Sequence, residues 1–146
     1  MMPVRHVVVL ATALAALGAA GCGKSSTTTS PSTTTSGPST EYFDGTLAPA
    51  ASSFYSFTVT NPGAVSVTLA SMATAKVGPA ASARITLGLG TPNGFGCTVS
   101  ESADVNPGLN AQLSNPSNAA GIYCVSVADP GDLSTDVLFV VRIVHT

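Results

Sequence analysis

The 146-residue chain has no tryptophan, aromatics are only 5% of it, and charged residues are 8%. Each scarcity removes a class of function. Five Lys and Arg cannot form the clustered basic surface that displaces counterions from phosphates, and Lys24, Lys76, Arg84 and Arg142 are scattered. Nucleic acid is therefore not an expected partner. Of the two histidines, His6 lies in the leading segment and His145 beside the C-terminus, at an expected frayed strand end. A nucleophile–base–orienter set needs a positioned base, and no serine sits in a Gly-x-Ser-x-Gly turn. Glu101 and Asp104 fall in a loop-like stretch and read as solvating it. Gly88-Leu89-Gly90 with Gly94 and Gly96 leads into no helix and makes no phosphate cradle. The chain reads as no enzyme. The missing tryptophan, with aromatics at strand positions expected to be buried, also argues against a sugar-stacking platform.

The three cysteines divide into one plus two. Arg5 and His6 precede an apolar run from Val7 to Ala16, the length of a secretory h-region and too short to span a bilayer with confidence. Leu17-Gly18-Ala19-Ala20-Gly21-Cys22 follows. This run resembles the lipobox of bacterial lipoproteins, with Ala19 where the pattern usually carries Leu. The resemblance implies a signal peptide over residues 1–21, removed to leave a lipidated Cys22 as the mature N-terminus. The bland reading is ordinary cleavage within Leu17–Gly21, which leaves an odd free thiol in an exported protein. Several acyl chains on one residue would give stable membrane anchoring. Gly23 stands where inner-membrane lipoproteins of enteric bacteria carry Asp. The resemblance therefore implies a cell-envelope location at the outer membrane or a periplasm-facing surface.

From Gly23 to Thr40 the chain is almost wholly Ser, Thr, Gly and Pro. It has no apolar side chains whose burial could offset the entropy of ordering, so residues 22–40 read as a disordered tether. Its root-mean-square reach is about 20–25 Å. O-linked sugars on its Ser and Thr are an open alternative to a bare spacer.

Residues 41–146 have the length of one small domain. Tyr55, Phe57 and Val59 alternate with Ser56, Thr58 and Thr60, and Val65, Val67 and Leu69 with Ser66 and Thr68. That period of two marks half-buried strands. With Asn61-Pro62-Gly63 between them, Ser53–Thr60 and Ala64–Met72 are predicted as a hairpin. Further strands are predicted at Ile85–Leu89, Phe95–Ser100, Leu109–Leu113, Gly121–Ala128 and Asp136–Val144. Only Met72–Ala83 hints at helical periodicity, and Gly78 and Pro79 interrupt it. The expected fold is all-β, a two-sheet antiparallel β-sandwich of about eight strands.

Phe43-Asp44-Gly45, Phe54-Tyr55-Ser56-Phe57-Thr58-Val59 and Val65-Ser66-Val67-Thr68-Leu69 precede Ala120-Gly121-Ile122-Tyr123-Cys124-Val125-Ser126-Val127, a Gly-x-Tyr-x-Val-x-Val strand. Over about Phe43–Val144 this resembles the prepeptidase C-terminal (PPC-like) domains. The resemblance implies a jelly-roll-like sandwich serving as a non-catalytic accessory module. In that family some members bind polysaccharide or matrix protein and some bind calcium.

Cys97 and Cys124 lie on separate predicted strands of an exported domain and read as a disulfide. Two reduced thiols or a metal pair are the alternatives, and the metal lacks a matching histidine. Alternation puts Tyr123, Val125 and Val127 on one face and Cys124 on the other, so the bond is expected to staple strands on an outer face. Asp129, Asp132 and Asp136 bracket the last turn and are the candidate Ca²⁺ ligands, set against the plainer reading of Asp-Pro-Gly-Asp as a turn. Two functions stand. One is a displayed binding module, contacting glycan or envelope protein through loops such as Thr91–Phe95 and Asn106–Asn110. The other is a structural envelope lipoprotein or assembly subunit without its own ligand.

Overall fold

A computed structural model of the chain describes residues 37–74 and 82–146. The expected signal peptide, Cys22, most of the tether and the 75–81 stretch lie outside the described residues. Among the described residues there are eight strands, β1 (Ser39–Leu47), β2 (Ser52–Val59), β3 (Gly63–Thr74), β4 (Ile85–Pro92), β5 (Cys97–Val105), β6 (Leu113–Asn118), β7 (Gly121–Ala128) and β8 (Val137–His145). They form two four-stranded sheets, ordered β1-β8-β3-β6 and β2-β7-β4-β5, with every pairing antiparallel. Strands one and eight, two and seven, three and six, and four and five are neighbours. This is the jelly roll, a long antiparallel ribbon wound into two layers.

The expected all-β sandwich is present, and β7 has its predicted bounds. The expected hairpin between Ser53–Thr60 and Ala64–Met72 is not. β2 pairs with β7 in one sheet while β3 pairs with β6 and β8 in the other. Asn61-Pro62-Gly63 reverses the chain, but a turn does not decide whether the next strand adds to the same sheet or crosses to the facing one. Here the crossing is held by the C-terminus, where Thr146 Oγ1 donates to the Asn61 carbonyl at 2.8 Å.

The predicted strand at Leu109–Leu113 is displaced to Leu113–Asn118. Residues 106–112 instead bind the bulged part of β3. Gly108 and Gln112 donate backbone N–H to the carbonyls of Leu69 and Val67, and Gln112 Oε1 accepts the Leu69 N–H at 2.8 Å. Pro116, read as a turn, lies inside β6, which tolerates it because β6 is an edge strand. β1 starts at Ser39, so Ser39 and Thr40 belong to the sheet although the tether was expected to reach them.

The core between the sheets comes from inward alternation. Val65, Val67 and Leu69 of β3 meet Val125 and Val127 of β7, with Phe139, Val141 and Ile143 of β8. At one open edge Tyr55 stacks on Phe43 at 4.8 Å and donates its hydroxyl to the Asp44 carbonyl at 3.0 Å. At the other, Asn115 of β6 donates to the Glu101 carboxylate of β5. Each clasp joins the edge strand of one sheet to that of the other.

Candidate functional site

The β4–β5 hairpin carries the local structure that matters. Thr91-Pro92-Asn93-Gly94 reads as a turn, but β4 continues through Pro92 and the reversal falls on Asn93–Gly96, closed by Asn93 N–H donating to the Gly96 carbonyl at 3.1 Å. Gly94 takes a φ of +92°, a conformation in which a side chain would be strained. Phe95 sits at the tip and is fully exposed. The carboxamide of Asn93 is fixed by donating to Thr98 Oγ1 at 3.0 Å.

Beyond the tip the hairpin folds onto the outer face of its own sheet. The outward positions of β4 include two glycines. A Cβ at Gly88 would lie 2.8 Å from a methyl of Val99, and one at Gly90 would lie 1.9 Å from the Thr98 carbonyl oxygen. Bare backbone at these points lets β5 close over β4. A register shift between Leu89 and Gly90 accommodates it. Cys97 can then reach past β4 to Cys124 on β7, forming a disulfide with a Cα–Cα distance of 5.8 Å. The staple is on the outer face, opposite Tyr123, Val125 and Val127. Cys124 is nonetheless fully buried, because the folded-over hairpin covers it.

This closure leaves a concavity of about 510 Å³ on the outer face, open to solvent. One wall is Ser52, Ser53 and Phe54 at the start of β2, with Ser126 of β7. The other is Asn93, Phe95, Gly96 and Cys97 of the hairpin. Its volume lies within the range of about 300–1,000 Å³ usual for ligand sites. No ionisable side chain lines it. Phe54 points outward and is 42% exposed. The alternation that sends Tyr55, Phe57 and Val59 inward already assigns Phe54 to the opposite face, and Phe95 lies between two glycines rather than on a strand. Of the other exposed apolar side chains, Val99 lies over Gly88 near Ser126, while Tyr42 and Leu138 belong to the other sheet. Tyr42 pairs with Arg142 and Leu138 with Thr46, four residues apart along β8.

The remaining predicted site residues have structural roles. Asp129 does not join Asp132 and Asp136 as a cation cage. Its Oδ2 accepts the Ala50 N–H at 2.8 Å, and its Oδ1 accepts those of Gly131, Asp132 and Leu133 at 2.9–3.1 Å. The Ala50 N–H, followed by the three turn donors, holds this carboxyl below its ordinary range despite some opposing desolvation. Asp132 pairs with Arg84 at 3.1 Å, and the Asp136 carbonyl accepts from Thr135. Among the described residues no three His, Cys, Asp or Glu side chains are grouped to hold a metal.

Glu101 and Asp104 lie on β5 and not in a loop. Three apart on a strand, they face opposite sides: Glu101 meets Asn115 and Asp104 accepts from Thr86 Oγ1. His145 is not frayed. It is the last residue of β8, 4% exposed, with Nε2 2.8 Å from Glu41 Oε1 and its ring 5.3 Å from that of Phe57. Extending the alternation of Phe139, Val141 and Ile143 by one step places His145 inward.

No family model matches the chain, and no curated protein matches it. Among solved structures the chain is similar to Salmonella Typhimurium PliG, a periplasmic lysozyme inhibitor of g-type lysozyme. The identity is 18%, with a TM-score of 0.40, over 71% of this chain and 88% of that one.

Proposed function

We propose that the chain is an exported, non-catalytic cell-envelope lipoprotein, anchored through acylated Cys22, that displays its jelly roll as a binding module on the Ser/Thr-rich tether. The PPC-like motifs and the lipobox-like run support this reading from the sequence. The observation that carries it is the concavity bordered by Phe54 and Phe95. Two exposed aromatic rings border one groove, Phe54 on β2 and Phe95 on a hairpin held by a disulfide, and no Asp, Glu, Lys, Arg or His lines it. Exposed rings cost hydration free energy, and the covalently held loop orders Phe95 before any ligand arrives.

Affinity capture from envelope extracts tests the module, comparing the wild-type protein with a Phe54→Ser/Phe95→Ser variant. A glycan or protein retained by the first and lost with the second is the expected result. Identical profiles would leave the structural-lipoprotein alternative in its place. Intact-mass measurement of the purified protein tests the anchor, and an unacylated N-terminus would remove it.

A further inference from the structure

The outward face of the β1-β8-β3-β6 sheet carries large apolar side chains in the open. Tyr42 of β1 is 62% exposed, Leu138 of β8 47%, and Leu109, beside β3, 84%. Val140 and Val144 of β8 are half-buried on the same face. Two charges stand among them, Asp44 of β1 and Arg142 of β8. Tyr42 is opposite Arg142 and Asp44 opposite Val140, so the charges occupy one diagonal of the β1–β8 ladder. They are not paired with each other. Arg142 Nη2 donates to the Leu109 carbonyl at 2.7 Å and to Thr68 Oγ1 at 3.5 Å, which draws the guanidinium toward β3 and away from β1. Its Nε is buried without a partner. The Asp44 carboxylate makes no hydrogen bond or ion pair among the described residues.

One unpaired cation and one unpaired anion make this face complementary to itself. A partner of single charge sign would meet one attractive and one repulsive group. A second copy, turned face to face about a two-fold axis, sets each Asp44 against the other copy's Arg142. With the axis between the two charges, Tyr42 and Val140 lie on the opposite diagonal and fall beside their own counterparts. We propose that this sheet face is a homodimer interface, with Tyr42 and Val140 at its apolar centre and two reciprocal Asp44–Arg142 ion pairs around them. Four strands about 4.8 Å apart, nine residues long in β1 and β8 at about 3.3 Å each, give a face on the order of 600 Å². Two such faces bury about 1,200 Å², enough for a specific interface of standard size. The Phe54–Phe95 groove belongs to the other sheet, so the dimer presents two grooves on its outer sides. The dimer stands whether or not that groove binds a ligand.

Sedimentation equilibrium of the full-length protein in density-matched detergent is the test, over about 1–500 μM, which spans the affinity of a small interface. The wild type is expected to show a monomer–dimer equilibrium that weakens as salt is raised. Asp44→Arg sets like charges against each other at both symmetric contacts. It should weaken association at least tenfold at each, about a hundredfold in all. Tyr42→Ser should also weaken it, and Asp44→Asn should flatten its salt dependence. Asp44 and Tyr42 are exposed, so in dilute solution these variants should keep the wild-type melting midpoint. A wild type that stays monomeric throughout overturns the proposal. So does a dimer unmoved by Asp44→Arg and Tyr42→Ser, or a salt dependence that survives Asp44→Asn. A dimer dissociated by Phe54→Ser instead would seat the second copy in the groove and overturn this face.

Discussion

Asp129 shows how a single carboxylate organises two connections at once. Its four backbone donors come from the β1–β2 connection and from the turn after β7. Because these N–H groups hold its folded pKa below the ordinary value, its contribution is present above the unfolded pKa. It is lost as pH falls through the folded one. Asp129→Asn should therefore lower the melting midpoint at neutral pH. The midpoint should also fall less steeply than in the wild type below about pH 4. Calorimetry across that range measures both effects. The acceptor from this turn reaches Ala50, whose φ of +58° is the left-handed region that side chains disfavour. Ala50→Gly removes that penalty at the cost of a more flexible unfolded chain. It should stabilise by about 0.5–1 kcal/mol in urea unfolding. At this scale the composition showed that Asp-Pro-Gly-Asp makes a turn. Ala50 as the turn's partner, 79 residues away, was not legible, because local sequence carries no record of what packs beside it.

At the scale of elements, period-two alternation gave β2, β3, β4, β7 and β8 with their inward faces. β1 is not among the predicted strands, the second half of β5 reads as a loop, and β6 is displaced. There Leu109 and Leu113 suggested a strand, but the carbonyls of Val67 and Leu69 took the backbone of this segment as an irregular edge. The staple between β5 and β7 is the element-level device with the largest expected effect. It closes a span of 27 residues, worth about 3–4 kcal/mol in the chain-entropy model. Cys97→Ser/Cys124→Ser should lose that much in urea denaturation. The hairpin tip bearing Phe95 should also become more mobile, read as faster amide exchange at Gly94 and Gly96. Cysteine spacing predicted the bond and alternation predicted its outer face. The burial of Cys124 depends on Gly88 and Gly90, whose meaning emerges only when Val99 and Thr98 are seen against them.

For the whole molecule, the winding that pairs β1 with β8 and β2 with β7 makes the essential contacts non-local. Loop closure must precede most of the favourable burial, so folding should be slow for a domain of this size. Stopped-flow refolding of the oxidised protein, followed by tyrosine fluorescence, should give rates in the range of about milliseconds to seconds. Microsecond folding would show that local structure carries more of the transition state than this topology allows.

The sequence alone determined that the domain is all-β, which faces of its alternating strands turn inward, and which cysteines pair. These follow from periodicity and from oxidising export chemistry. Only the tertiary structure decided that β2 and β3 face each other across the core instead of lying side by side. It also decided that His145 is buried and that Phe54 and Phe95 border one groove. Each of these depends on which distant segments share a surface, and that is settled by the packing of two whole sheets.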